Sequence, residues 1–200
     1  MSRRILTGIT TTGIPHIGNY FGAIKPALQL SSEKNVSSYF FLADLHAIIK
    51  QTNPNEIKVS VNEVALAWLS SGLDPEKSFF YRQSNIPEIT ELAWILSCVT
   101  AKGLINRSHA YKAAVQLNHD HTKDEDKGIS MGLFSYPVLM AADILMFNSS
   151  HVPVGKDQLQ HLEITRDIAE KFNHQYGKAF VIPEAISNGL VFQEVTVKLQ

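Results

Sequence analysis

Thr7-Gly8-Ile9-Thr10-Thr11-Thr12-Gly13-Ile14-Pro15-His16-Ile17-Gly18-Asn19-Tyr20 is the stretch whose reading decides the fold. It follows a short apolar run, Arg4 to Leu6, that reads as a first β-strand. It then opens a helix whose apolar residues Ile17, Tyr20, Phe21, Ile24, Ala27 and Leu28 recur at helical spacing. A glycine-rich turn between a strand and a helix N-terminus presents unpaired backbone N–H groups and the positive end of the helix dipole, so it suits an anion. Two common nucleotide motifs are absent. Gly13 and Gly18 have P-loop spacing, but Asn19 and Tyr20 stand where Lys and Ser/Thr would follow, and there is no G-x-G-x-x-G. The bare pattern leaves two readings: glycines that only relieve a tight turn with His16 as a cap, or a phosphate cradle in which His16 takes part.

Outward from this segment, strand-like and helix-like runs alternate. Ser38 to Ala43 reads as a second strand. Asn53-Pro54-Asn55-Glu56 starts a helix with a cap residue, a first-turn proline and an acid, and Gly72 stops it. Ser78 to Arg82 is a third strand, and Pro87 to Gly103 a helix. Met131 to Phe147 has helical character, with Pro137 starting or bending it. His151 to Val154 is a strand, Asp157 to Tyr176 an amphipathic helix ended by Gly177, and Ala179 to Ile182 a last strand. This order predicts an α/β fold, a Rossmann-like doubly wound parallel sheet with helices on both faces. Ligands in such sheets bind at the C-terminal strand ends, where the strand order reverses. Residues 1–185 read as one domain, with 104–130 a partly loop-like insertion and 186–200 a divergent or shortened tail.

Composition sets limits. The chain has 200 residues, 44% hydrophobic and 18% charged, and one cysteine. That describes a soluble globular chain without a disulfide framework, and its reduced thiol fits the cytoplasm. The apolar neighbours of Cys98 place it in the core. No apolar run reaches membrane-span length and no signal-peptide h-region is seen. A formal net charge of −1 gives no bulk attraction for nucleic acid. His119 to Lys127 is a mixed-charge run expected to form a solvated surface loop. Its two histidines, His119 and His121, lack further ligands at metal-site spacing, so no metal site is expected.

Three further elements carry polar residues at strand–helix junctions. Ala43-Asp44-Leu45-His46 offers either a base with its orienter or a turn-forming Asp beside a packed His. Tyr136, Met140 and Asp143 are four and three residues apart and share one helical face. Asp143, flanked by Leu139, Met140, Ala141, Ala142, Ile144 and Leu145, needs a partner, because an unpaired buried charge costs several kcal/mol or more. That partner is either a Lys or Arg of the fold or a donor brought by a ligand, such as an indole N–H. Gly155-Lys156-Asp157-Gln158 is a capped helix start.

His16-Ile17-Gly18-Asn19 resembles the HIGH signature of class I aminoacyl-tRNA synthetases, and the longer Gly13 to Ala23 string resembles its tryptophanyl form. The four elements together, in this order, resemble tryptophanyl-tRNA synthetases from about Arg3 to Pro183. The resemblance implies ATP-dependent activation of L-tryptophan to tryptophanyl-adenylate and transfer to tRNA(Trp). Mg2+ would accompany ATP as substrate, with no tightly bound cofactor, and the family forms homodimers. It implies His16 and Asn19 as catalytic residues. ATP would be bound by Thr10, Thr11, Thr12, Gly18, Asn19, Gly155, Lys156 and Asp157. Tryptophan would be bound by Gly8, His46, Tyr136, Met140, Asp143 and Gln158, with Asp143 accepting the indole N–H. His161 to Asp167 also resembles the family and reads as fold support.

The family's next element, a Lys-Met-Ser-Lys-Ser loop, does not occur in Ile186 to Gln200. The expectation is therefore a shortened ligase of impaired activity. The alternatives are a fragment that only binds tryptophan or ATP or pairs with another subunit, a tyrosyl-type enzyme, or another nucleotide transferase of the same fold.

Overall fold

A computed structural model describes residues 3–121, 124–155 and 158–187. Its centre is a five-stranded, all-parallel sheet of β1 (Arg3–Thr10), β2 (Val36–Ala43), β3 (Phe79–Arg82), β4 (His151–Val154) and β5 (Glu184–Ser187). The spatial order is β3-β2-β1-β4-β5. This is the doubly wound order, with its reversal between β1 and β4. β1 and β2 pair along their whole length, Arg3 opposite Val36 through Thr10 opposite Ala43. β1 and β4 share only the pair Ile5–His151. The C-terminal halves of these two strands therefore flank the reversal without a ladder between them.

Alternation along β1 sends side chains to two cores. Ile9 packs with Ile24, Ala27, Phe40, Leu42, Val61, Val64, Trp68 and Leu73 on one face of the sheet. Leu6 packs with Phe41, Ala43, Ile144, Val152, Val154 and Leu162 on the other. Helices cover both faces, as alternating strand and helix signals predict. The first face takes the segment α1 (Ile17–Asn19), a π turn (Tyr20–Ile24) and α2 (Lys25–Ser31), which continues from one into the next. After the short α3 (Asp44–Ala47) comes α4 (Pro54–Ser70) on the same face. Asn53 caps α4 by accepting the Asn55 N–H at 3.0 Å, as the sequence signature requires. The second face takes α8 (Met131–Met146) and α9 (Leu159–Tyr176), and α5 (Glu88–Val99) packs against both. Two further helices, α6 (Lys102–Ile105) and α7 (His109–His121), link α5 to α8.

Several sequence expectations shift, each for a local reason. The helix after β1 contains the π turn, closed by the Lys25 N–H on the Tyr20 carbonyl, which rotates its apolar stripe. Ile24 and Ala27 are buried, whereas Ile17 and Phe21 face solvent. The helix expected to reach Gly103 ends at Val99, where Thr100 turns to extended backbone. Cys98 is exposed, not buried. It lies four residues from Trp94, itself 73% exposed, on the face of α5 opposite Leu96 and Val99.

Residues 109–121 are helical where a weak pattern suggested loop. Tyr111, Ala114, Val115 and Asn118 form the partly buried stripe of α7, and Tyr111 meets Phe134 edge-on at 5.0 Å. Of the charged run, 119–121 therefore belongs to α7, and His119 reaches Glu125 at 3.2 Å on the surface. Pro137 neither starts nor ends α8; it sits buried inside it, and Ser130 caps the start by accepting the Leu133 N–H. The last strand lies at 184–187 rather than 179–182. The N–H groups of Ala179 and Phe180 donate to Asn173 Oδ1 and that of Val181 to Asn148 Oδ1, so they are taken before a ladder can form. Pro183, which has no N–H, precedes the strand.

Candidate functional site

The segment after β1 forms a cleft of about 270 Å³ lined by Ile9, Thr10, Thr12, Gly13, Ile14, Pro15, His16, Asn19 and Val64. Its floor is the start of α1. His16 stands at the N-cap position, where its Nδ1 accepts the Gly18 N–H at 3.0 Å. Asn19 Oδ1 accepts the His16 N–H at 2.9 Å, closing a reciprocal capping box. The chemical consequence concerns the imidazole. A neutral ring whose Nδ1 accepts must carry its proton on Nε2, so His16 is fixed as an Nε2–H donor. Gly18 is needed for this arrangement, since a Cβ there would come within 2.8 Å of the His16 ring. The capping reading of His16 is therefore what the geometry shows, and the cap does not use Nε2.

The second group lies on the α8 face of the sheet. Asp143 is 1% exposed. Among the described residues its partner is neither Lys nor Arg. His46 Nε2 lies 2.9 Å from Oδ2, and Gln83 Nε2 donates to Oδ1 at 2.8 Å and to Oδ2 at 3.0 Å. Burial pushes the Asp143 carboxyl above the ordinary carboxylate value, opposed by the hydrogen bonds and charge of His46 and by Gln83. Tyr136 projects from the same helical face, and its hydroxyl meets His161 Nε2 at 2.5 Å. The His46 and Tyr136 rings stand edge-on, 6.4 Å apart. Met140 packs on the cluster containing Leu6, Phe41, Val152 and Val154.

Asp44 and His46 do not act as base and orienter. Asp44 is held instead by Arg82 Nε and the Ser84 N–H. Burial raises the Asp44 carboxyl, but hydrogen bonds from Ser84 and Arg82 outweigh it and hold the group below the ordinary carboxylate value. That turn anchors α3 and so points His46 towards Asp143.

Gly8 sits beneath Phe41, its register partner on β2. A Cβ at position 8 would come within 2.3 Å of the Phe41 ring. Thr10 and Thr12 line the first cleft, whereas Thr11 is fully buried, its hydroxyl without a hydrogen-bond partner among the described residues. Gly155 follows β4, and its carbonyl accepts the Gln158 N–H ahead of α9. Lys156 and Asp157 lie outside the described residues. His161, read from sequence as fold support, is buried and holds the Tyr136 hydroxyl. Gln83 is the residue that sequence reasoning missed. It follows the C-terminal end of β3, and that position was its only signal.

A 3-2-1-4-5 parallel sheet with a His-capped helix start after β1 and a buried carboxylate beside the ends of β2 and β3 defines a Rossmann-type nucleotide-binding fold. Comparison with known proteins narrows the class. Residues 2–196 match the family described as tRNA synthetases class I (W and Y), so the match runs past Pro183, and the chain belongs to that family. The tryptophan–tRNA ligase of Bordetella pertussis is 61% identical over 187 residues, covering 93% of this chain and 42% of the relative. The corresponding ligase of Pseudomonas putida is 60% identical over 189 residues, with the same coverage. The chain thus spans less than half the length of these relatives. The Campylobacter jejuni tryptophanyl-tRNA synthetase, solved in complex with ADP and tryptophan, superposes with a TM-score of 0.82 at 45% identity, over 94% of this chain and 56% of that one. A tyrosyl-tRNA synthetase from Archaeoglobus fulgidus shares the fold, with a TM-score of 0.70 at 18% identity.

Proposed function

We propose that this chain forms the tryptophan- and ATP-binding catalytic core of a tryptophan–tRNA ligase, residues 1–185 making up the catalytic domain. The observation that carries the reading is Asp143. An ionised carboxylate only accepts hydrogen bonds and has about four lone-pair directions. Three contacts from His46 and Gln83 leave one, so the ligand that completes the site must bring a donor. Tyr136 and Met140 beside it supply an aromatic and a polarizable wall. A large apolar ring with one N–H, the indole, answers that description. The tryptophan ligases at about 60% identity support it over the tyrosyl reading, where the solved Archaeoglobus fulgidus enzyme is 18% identical.

In the activation step the tryptophan carboxylate attacks the α-phosphorus of Mg·ATP, forming the acyl-phosphate bond as pyrophosphate leaves. Such displacements depend on positioning and on charge stabilisation. His16, through its Nε2–H, would meet the charge that develops in the cleft, while Thr10, Thr12 and Asn19 line it and Gly18 leaves room for the His16 ring. Gly155, Lys156 and Asp157 would reach ATP from the β4 side, and Gly8, His46 and Gln158 would complete the amino-acid site. Thr11, being buried, supports the loop from beneath. The acyl group then passes to a terminal ribose hydroxyl of tRNA(Trp) as AMP leaves, and a cytoplasmic setting fits this reaction. Titration calorimetry of the chain with L-tryptophan and with L-tyrosine tests the reading. Binding of tryptophan at least tenfold tighter is expected, and equal affinities would refute it.

A homodimer accompanies this function in our reading. α5 leaves Trp94 73% and Ile95 48% exposed, more apolar surface than one short helix usually shows to water. Light scattering at micromolar concentration should give twice the mass of the 22.3 kDa chain. A monomeric mass across that range would count against the dimer.

A further inference from the structure

Gln83 is fully buried at the turn that follows β3, sixty residues in sequence from the carboxylate it touches. Its amide cannot be turned over. Oε1 accepts the Leu45 backbone N–H at 3.1 Å, which leaves Nε2 to face Asp143. There it spans both carboxylate oxygens, at 2.8 and 3.0 Å. The Leu45 N–H and the His46 ring belong to the same short helix, α3. One side chain therefore ties the C-terminal end of β2, the end of β3 and the middle of α8 into a single network. Within it, His46 is free to be donor or acceptor according to its tautomer, whereas an amide nitrogen only donates.

We infer that Gln83 is a positioning and specificity residue: by donating to both Asp143 oxygens it fixes the carboxylate as an acceptor and aims its remaining lone pair at the ring of the bound amino acid. The role rests on the tryptophan reading above. Without the amide, Asp143 has one side-chain donor left, is free to rotate about its terminal bond, and gains more by holding a proton than by staying charged. A protonated or rotated carboxyl accepts an N–H poorly and tolerates a ring that has none. Gln83 thus acts on the discrimination between rings rather than on adhesion to the pocket. A residue that only supported the fold would act on all ligands alike.

The test compares two ligands on the same chain: L-tryptophan, and 3-benzothienylalanine, in which sulfur replaces the indole N–H. Wild-type chain should prefer tryptophan by about 10- to 100-fold, the range for a hydrogen bond to a charged group. In Gln83→Met, of similar length but without a donor, the preference should fall by about tenfold, with ATP affinity unchanged as the control for folding. Should that variant not fold, Gln83→Glu keeps the acceptor for Leu45 and the side-chain volume. Its carboxyl shares one proton with Asp143, because two carboxylates about 3 Å apart do not both ionise, and the preference should again fall. A folded variant that weakens both ligands equally and keeps the wild-type ratio overturns the role. A wild-type chain that binds both ligands equally overturns the Asp143 assignment beneath it, and the two failures are told apart by which protein shows them.

Discussion

Asp143→Asn should weaken L-tryptophan binding about 10- to 100-fold and leave ATP binding unchanged. The lost interaction is a hydrogen bond to a charged acceptor in a closed site, worth about 1.5–3 kcal/mol. Asparagine keeps one acceptor for Gln83 Nε2 and turns a donor towards His46, which can answer by shifting its ring proton. The fold therefore survives the substitution. Its stability moves in an informative direction. Burial raises the Asp143 carboxyl above its ordinary value against the opposing hydrogen bonds of His46 and Gln83, so folding favours its neutral form relative to the unfolded chain. That contribution is present below the unfolded carboxylate value and is lost as pH rises through the higher folded one. At neutral pH the charged form is the costly one, so Asp143→Asn should be at least as resistant to urea as wild type. Unchanged tryptophan affinity in calorimetry would remove Asp143 from the pocket. A large loss of stability with weakened ATP binding would make it a structural residue.

The same residue shows how far sequence reading carried. Its apolar flanks announced a buried acid in need of a partner, and the spacing of Tyr136, Met140 and Asp143 announced a shared helical face. Both are local properties, written within eight residues. The partners are not local: His46 and Gln83 lie 97 and 60 residues away and reach Asp143 only because β2 and β3 end beside α8. His46 was flagged for a different reason, its closeness to Asp44, and the structure separates those two. Gln83 had neither periodicity nor charge to mark it. The strand-end rule applied to β3 would have found it.

The His16 cap after β1 was legible because its bond closes within three consecutive residues, whereas the return bond from Asn19 was not read from the sequence. Polarity misled in both directions elsewhere. It hid α7, whose partly buried stripe includes Asn118, and the apolar density of α5 hid the fact that Trp94 and Cys98 share a solvent face.

The largest kinetic effect should come from His16. Tryptophan-dependent pyrophosphate exchange by the polypeptide of residues 1–200, which holds no Lys-Met-Ser-Lys-Ser sequence, should be weak but measurable, and tRNA charging should sit at background. His16→Ala should lower the exchange a further ~100-fold, the usual consequence of removing one preorganised donor from a developing charge. Alanine also removes the cap, so two effects are mixed. His16→Asn separates them. Asparagine is a strong N-cap residue and can still accept the Gly18 N–H, but it has nothing at the position of the outward Nε2. If His16 served only as a cap, His16→Asn would restore exchange to the wild-type rate while His16→Ala would lose about 1 kcal/mol of stability. If the outward N–H stabilises the transferring phosphate, both variants lose the exchange and only His16→Ala loses the stability. We expect the second outcome, because the capping bond uses Nδ1 and leaves Nε2–H as the free donor of a side chain that lines the cleft. Wild-type exchange in His16→Asn would refute it.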